Sequence, residues 1–200
     1  MKLSGSIQKL LPLGYFFLVV LGILKESVFY YQIGINILKY STIMDILISP
    51  IATLTAHPII LVAFLILVLG SYAFPILIAN QSHKKWVQKL SFQKDKEALG
   101  DQEVGKHLTE KFIKLLAVVL LSFFLGIGIG EGLGLTEKIM IDKLEYGRKL
   151  TYNTGESEEI YLISLNSVYY FYLSKGNKSI KIAPIGAIKY IEFTKNKMLK

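Results

Sequence analysis

From Ile46 to Ser82 the chain carries no Asp, Glu, Lys or Arg. A helix rises about 1.5 Å per residue and the hydrocarbon core of a bilayer is roughly 30 Å thick, so about 20 mostly apolar residues make a span. This run is long enough without help. Two shorter charge-free runs lie on either side of it. Leu10 to Leu24 sits between Lys9 and Lys25, and Leu115 to Gly130 sits between Lys114 and Glu131. Lysines at their ends could snorkel to the headgroup level and complete each span. The chain is 52% hydrophobic and 19% charged, where a soluble domain has about a quarter of its residues charged. Three such segments in one short chain argue against buried core helices and for an integral membrane protein.

The N-terminus resembles a signal peptide only in part. Lys2 and Lys9 precede an apolar stretch, but no small-x-small cleavage site occurs before Lys25, and Glu26, Ser27 and Val28 do not supply one. We read a retained first helix. The expected fold is a membrane α-helical domain, residues 1–135, with about three spans near 10–24, 58–79 and 112–135. Pro12 falls in the first turn of the first span, where a missing N–H costs little. An interfacial helix is expected over 42–56. Thr42 with Asp45 three residues on forms a capping pattern, and Ile43, Met44, Ile46, Leu47, Ile51 and Leu54 give an apolar stripe. Residues 80–111 form a lysine-rich loop in which Trp86 follows Lys84-Lys85, as an interfacial anchor would.

Beyond Thr136 the pattern changes. Residues 136–147 read as a short connecting helix stopped by Gly147, and 148–195 as a small all-β domain. Five β-like runs are separated by turn signals at Thr154-Gly155, Asn166-Ser167, Lys175-Gly176-Asn177 and Ile185-Gly186. Five strands in so short a stretch suggest a small barrel or a curled sheet. Val168 to Leu173 is apolar at every position rather than at alternate ones, so that strand should be covered on both faces.

The lysines also bear on sidedness. The stretch from Asn80 to Lys114 has eight, and with three spans it shares a side with Lys2 and Lys9. Close to its membrane ends the other side has Lys25, Lys39, Lys138, Lys143, Arg148 and Lys149, so the count near membrane ends is ten against six. Basic residues near membrane ends stay in the cytoplasm. We therefore expect the N-terminus and loop 80–111 to be cytoplasmic, in the plasma or bacterial inner membrane, with the β-domain on the opposite side. The +8 formal charge has the same origin. With one arginine, Arg148, among 23 basic residues, it does not suggest a nucleic-acid surface.

Few residues are candidates for chemistry. Gly126, Gly130 and Gly134 share one helix face, and Gly128 with Gly132 shares another. Small residues at four-residue spacing let helices approach closely, either within the chain or between copies. Glu131 lies in this series near the end of the run, either solvated or functional. Asp45 either faces a polar cavity or complements a helix N-terminus. Glu103, His107 and Glu110 share a face, but a bundle metal site needs several such helices, and a solvated face explains them. Cysteine is absent. No nucleophile elbow, phosphate loop or paired-carboxylate motif occurs, so no catalytic residue, metal or cofactor is expected.

Three membrane segments, a glycine-rich third helix over Leu121 to Leu135 and a small β-domain over Lys149 to Phe193 are similar in architecture to the small-conductance mechanosensitive channel family. There the third helix lines the pore. The likeness covers about a third of the chain. Bulky Leu and Phe replace that family's alanine–glycine alternation upstream of Gly126, and its β-domain is cytoplasmic, against the lysine count. The expectation from the residues themselves is a non-enzymatic membrane protein that forms a homo-oligomer or joins a membrane complex, with the lipid bilayer as its other partner. A small oligomeric channel or transport accessory is the alternative.

Overall fold

The computed structural model describes residues 3–79 and 101–194, with side chains over 12–71, at 73 and 77, and over 111–194. Trp86 and most of the lysine-rich loop lie outside the described residues, as do the side chains of Glu103, His107 and Glu110. The element order is α1 (Leu3–Gln32), a 3-10 turn (Ile37–Lys39), α2 (Ile43–Ala56), α3 (Pro58–Ala79) and α4 (Asp101–Met140). Five strands follow: β1 (Arg148–Tyr152), β2 (Ser157–Leu165), β3 (Tyr169–Ser174), β4 (Ile180–Pro184) and β5 (Ile188–Phe193), with a 3-10 turn (Ile185–Ala187) before the last. Two helical stretches, Pro12–Gln32 and Lys111–Met140, are long and apolar enough to cross a membrane. The pair α2 and Pro58–Ser71, bent by 105° at His57, would make a third as a broken span or a re-entrant loop.

The chain divides into two compact units, Met1–Ser49 with Leu125–Lys200, and Pro50–Phe124. The second is helical. It contains an apolar hollow of about 270 Å³ lined by Leu67, Gly70, Ser71, Phe112, Leu115, Leu116 and Val119. The hydroxyl of Ser71, the one polar side chain in that lining, donates to the Leu67 carbonyl of its own helix at 2.5 Å.

Both long helices of the first unit end in the same way. Gly34 takes φ +77°, and the N–H groups of Ile35 and Gly34 return to the carbonyls of Tyr30 and Tyr31 at 2.9 and 3.1 Å. This left-handed stop closes the last turn of α1 and turns the chain toward Ile37. At the end of α4 the left-handed residue is Asp142, φ 54°, with Lys143 N–H bonding to Lys138 and Asp142 N–H to Ile139. The separate helix expected over 136–147 is therefore not formed. The long helix α4 runs on to Met140, and a carboxylate side chain rather than glycine takes the stop position, as aspartate can.

The five strands form one antiparallel sheet of order β4-β3-β2-β1-β5. The closed small barrel is corrected to an open sheet. β4 ends at Pro184, which has no N–H for a ladder, and a 3-10 turn diverts the chain to the far edge beside β1. The sheet is nonetheless curled. Leu150, Ile160, Tyr172 and Ala183 form one buried cluster, and Ile188 and Ile191 of the opposite edge strand pack on it. The other face carries Phe171, Tyr169, Ile163 and Ile182, which pack with Tyr30 and Ile37 of the helical segment. β3 is thus covered on both sides, as its unbroken apolar run requires, with Phe171, Tyr172, Leu173 and Ser174 all buried.

One polar network runs along the inner face. The Tyr172 and Tyr152 hydroxyls are 2.6 Å apart, Tyr152 donates to Glu158, and Lys181 Nζ lies 2.9 Å from the same carboxylate. Burial works against the charge on Glu158, but hydrogen bonds from its neighbours and the Lys181 ammonium outweigh it and hold its pKa below the usual 4.5. The stabilisation from this carboxylate is therefore fully present above about pH 4.5 and is lost as pH falls through the folded value. Glu158→Gln should cost roughly 1–2 kcal/mol at neutral pH. It should also lose less stability between neutral and acid pH than the parent, as read by denaturant melts of the full chain. Parallel acid limbs would show that Glu158 does not titrate with folding.

Candidate functional site

The two glycine rows have different surroundings. A Cβ on Gly128 would meet the Lys25 carbonyl oxygen at 2.5 Å, and one on Gly132 would meet Gln32 Nε2 at 2.6 Å and the Phe29 carbonyl oxygen at 3.0 Å. This pair is where α1 packs on α4. Gly126, Gly130 and Gly134 have no heavy atom of the described residues within 4 Å of such a Cβ. At about 100° per residue the two rows lie on opposite sides of the helix, so packing one row leaves the other open. Intrachain packing thus falls to Gly128 and Gly132, and the row singled out from sequence is the free one.

The contacts also set direction. Lys25 meets Gly128, Phe29 meets Gly132, and the Thr136 hydroxyl donates to the Gln32 carbonyl at 3.3 Å. Both indices rise together, so α1 and α4 are parallel. Gln32 Nε2 strengthens the seam by donating to the Gly128 and Ile129 carbonyls at 3.4 and 3.2 Å.

At the lower end of this seam is a charge cluster. Lys25, 9% exposed, has its ammonium 3.0 Å from Glu26 and 3.5 Å from Glu131. Ser49 of α2 donates to the same Glu26 oxygen. Glu131, its side chain 36% exposed, is therefore an ion-pair partner as well as a partly solvated group. Lys25 and Glu131 are the residues that end the first and third charge-free runs, and the fold brings those two ends together. A buried ion pair gains little net stability after desolvation, but breaking one by removing a partner costs roughly 3–5 kcal/mol.

A second constellation ties the β-domain to the helices. Asp45 accepts from the Thr42 N–H at 2.8 Å while the Asp45 N–H bonds back to the Thr42 hydroxyl at 3.2 Å, which is the capping box expected from sequence. The same carboxylate accepts from the Ser167 N–H and hydroxyl, both at 3.0 Å. Asn166 Nδ2 donates to the Tyr40 carbonyl at 2.9 Å. Asp45 is thus both a helix cap and a clamp on the β2–β3 turn. Beside it, Tyr30 and Tyr40 pack edge-on against Phe171 with ring centroids 5.2 and 6.1 Å apart. Sequence reasoning missed Ser167, Asn166, Gln32 and Glu26. Only the Lys25-Glu26 pair, at the end of an apolar run, carried a signal.

Among the described residues no group of three His, Asp or Glu could hold a metal ion. Comparison of the chain with protein-family models, curated proteins and solved structures gives no match.

The glycine assignment is testable in detergent-solubilised monomer. Gly132→Val should destabilise the protein by about 1–3 kcal/mol, because the new methyls meet backbone and Gln32. Gly130→Val should fall within about 0.5 kcal/mol of the parent in thermal melts. Equal losses would mean that both rows are packed.

Proposed function

We propose that the chain is a non-enzymatic membrane protein that self-associates or joins a membrane assembly through the open glycine face of α4, with the β-domain as a clamped contact module. The observation that carries this is the free row Gly126, Gly130 and Gly134, beside a second row already filled by α1. Small-residue faces in apolar helices are where backbones approach closely, and this one has no partner among the described residues. An oligomeric channel is the second reading. Glu131 favours it, being partly exposed at the end of an apolar run next to the open face. Discrete currents altered by Glu131→Gln in reconstituted bilayers would move the assignment there.

The parallel packing of α1 on α4 supports a three-span topology. Two parallel spans far apart in sequence need an odd number of crossings between them, and α3, Pro58–Ala79, offers one. The N-terminus and loop 80–111 are then cytoplasmic by the lysine count, and the β-domain lies opposite.

The absence of cysteine makes both tests clean. In native membranes, Gly126→Cys and Gly130→Cys should give oxidised dimers, and Gly132→Cys should not. A chain that stays monomeric at every concentration, with no such crosslink and no partner co-purifying, ends the proposal. For topology, Asn177→Cys should react with a membrane-impermeant maleimide in intact cells, and Gln93→Cys only after the inner membrane is broken. The reverse pattern would put the β-domain in the cytoplasm.

A further inference from the structure

Four observations set heights along the helical pair. The first and third charge-free runs end at Lys25 and Glu131, and these residues meet at 3.5 Å. α2 crosses α1 at the same height, because the Ile46 carbonyl sits on Gly22 and Ser49 bonds Glu26. Above that height α4 continues nine residues from Glu131 to Met140, about 14 Å. At its top, Lys178 of the β3–β4 turn bonds to the Met140 carbonyl at 3.3 Å. β3 leads from that turn back to Val168, and six strand residues cover roughly 20 Å. The β2–β3 turn is therefore down again at the height of the charge cluster, which is where Asp45 clamps it.

At that height apolar side chains are exposed on both sides of the Asp45–Ser167 clamp. Ile43, Met44 and Ile48 on the first turns of α2, and Leu165, Val168 and Ile185 of the β-domain, are 37% to 64% exposed. They flank the clamp, and Ile185 is joined to Val168 by a backbone hydrogen bond of 2.8 Å. Neither 164–174 nor 182–188 contains a charged residue, whereas the turn at the other end of β3 has Lys175 and Lys178.

Resting on the membrane reading above, we propose that this surface is a foot on which the β-domain stands on the bilayer. Leu165, Val168 and Ile185 enter the boundary between headgroups and acyl chains beside α2. The occupant is lipid, because the foot lies level with the ends of the charge-free runs and is continuous with the apolar face of α2. Lys25, Glu26 and Glu131 then mark the boundary plane. The last two turns of α1 and α4 stand clear of the hydrocarbon as a stalk that Phe171 and its neighbours grip.

The chain has one tryptophan, Trp86, so a Trp86→Phe background accepts a single reporter. In proteoliposomes of phosphatidylcholine, Val168→Trp should be quenched by lipids brominated near the headgroup end of the acyl chain, losing roughly half its emission, as an interfacial side chain does. Asn177→Trp, at the other end of β3, should be quenched by iodide and not by lipid. Ile185→Trp repeats the test should Val168→Trp fail to fold. Val118→Trp, on the exposed face of α4, reports on the membrane reading itself, and its failure to be quenched by lipid would overturn that reading. Lipid quenching at 118 with iodide quenching at 168 and 185 would overturn the foot alone. Protection of 168 and 185 from both quenchers would put a protein there, a second copy included, and would overturn it equally.

Discussion

The parallel seam between α1 and α4 is the constraint on which the rest of the first unit depends. Gly128 and Gly132 let α1 approach close enough for its backbone carbonyls to meet α4 directly, and the many small van der Waals contacts of such an approach drive helix pairing in an apolar medium. Because the helices run the same way, their C-terminal ends emerge together. Tyr30, Ile37 and the α4 stop at Asp142 are thereby brought to one side, where the chain continues as the sheet. An antiparallel seam would have put these ends a helix length apart, and Phe171 could not have reached Tyr30.

The sheet needs this arrangement. A segment of about fifty residues is small for an independent hydrophobic core, and here it has two thin ones. The inner cluster around Leu150, Ile160 and Tyr172 is made by curling the sheet on itself. The outer cluster around Phe171 exists only because the end of α1 and the turn at Ile37 cover it. An open sheet with one face supported by helices does not have to close into a barrel to bury its apolar residues. Asp45 then ties the open end down, using one carboxylate for the α2 cap and for two donors of Ser167.

Much of this was legible in the residues, where the signal was local. The five strands and their turns follow from alternation and from Gly, Asn and Ser at the breaks, and the Thr42–Asp45 box from spacing alone. The doubly apolar run of β3 announced two covered faces. What was not legible depended on distant partners. Two glycine rows with the same spacing cannot be ranked from sequence, since the choice is made by Lys25, Phe29 and Gln32 about a hundred residues away. The role of Asp45 is likewise decided by Ser167. Closure of the sheet turns on whether two edge strands meet, which strand count does not determine. The helix stop at Asp142 was hidden because the usual glycine signal sits five residues later, at Gly147.

The charge cluster has a consequence for how α1 and α4 are aligned. Its two glycine rows present nearly equivalent packing surfaces on opposite sides, so close approach alone would allow α1 to dock on either. At about 100° per residue Glu131 lies nearly midway between the rows, roughly 80° from the packed one and 100° from the open one. Its carboxylate reaches Lys25 at 3.5 Å from the flank of the seam rather than from its centre. Gln32 holds the centre, where its amide bonds the Gly128 and Ile129 carbonyls. Lys25 is buried between Glu26 and Glu131, and an uncompensated buried charge is costly. The ion pairs therefore hold α1 and α4 at one height along the seam that the glycines open.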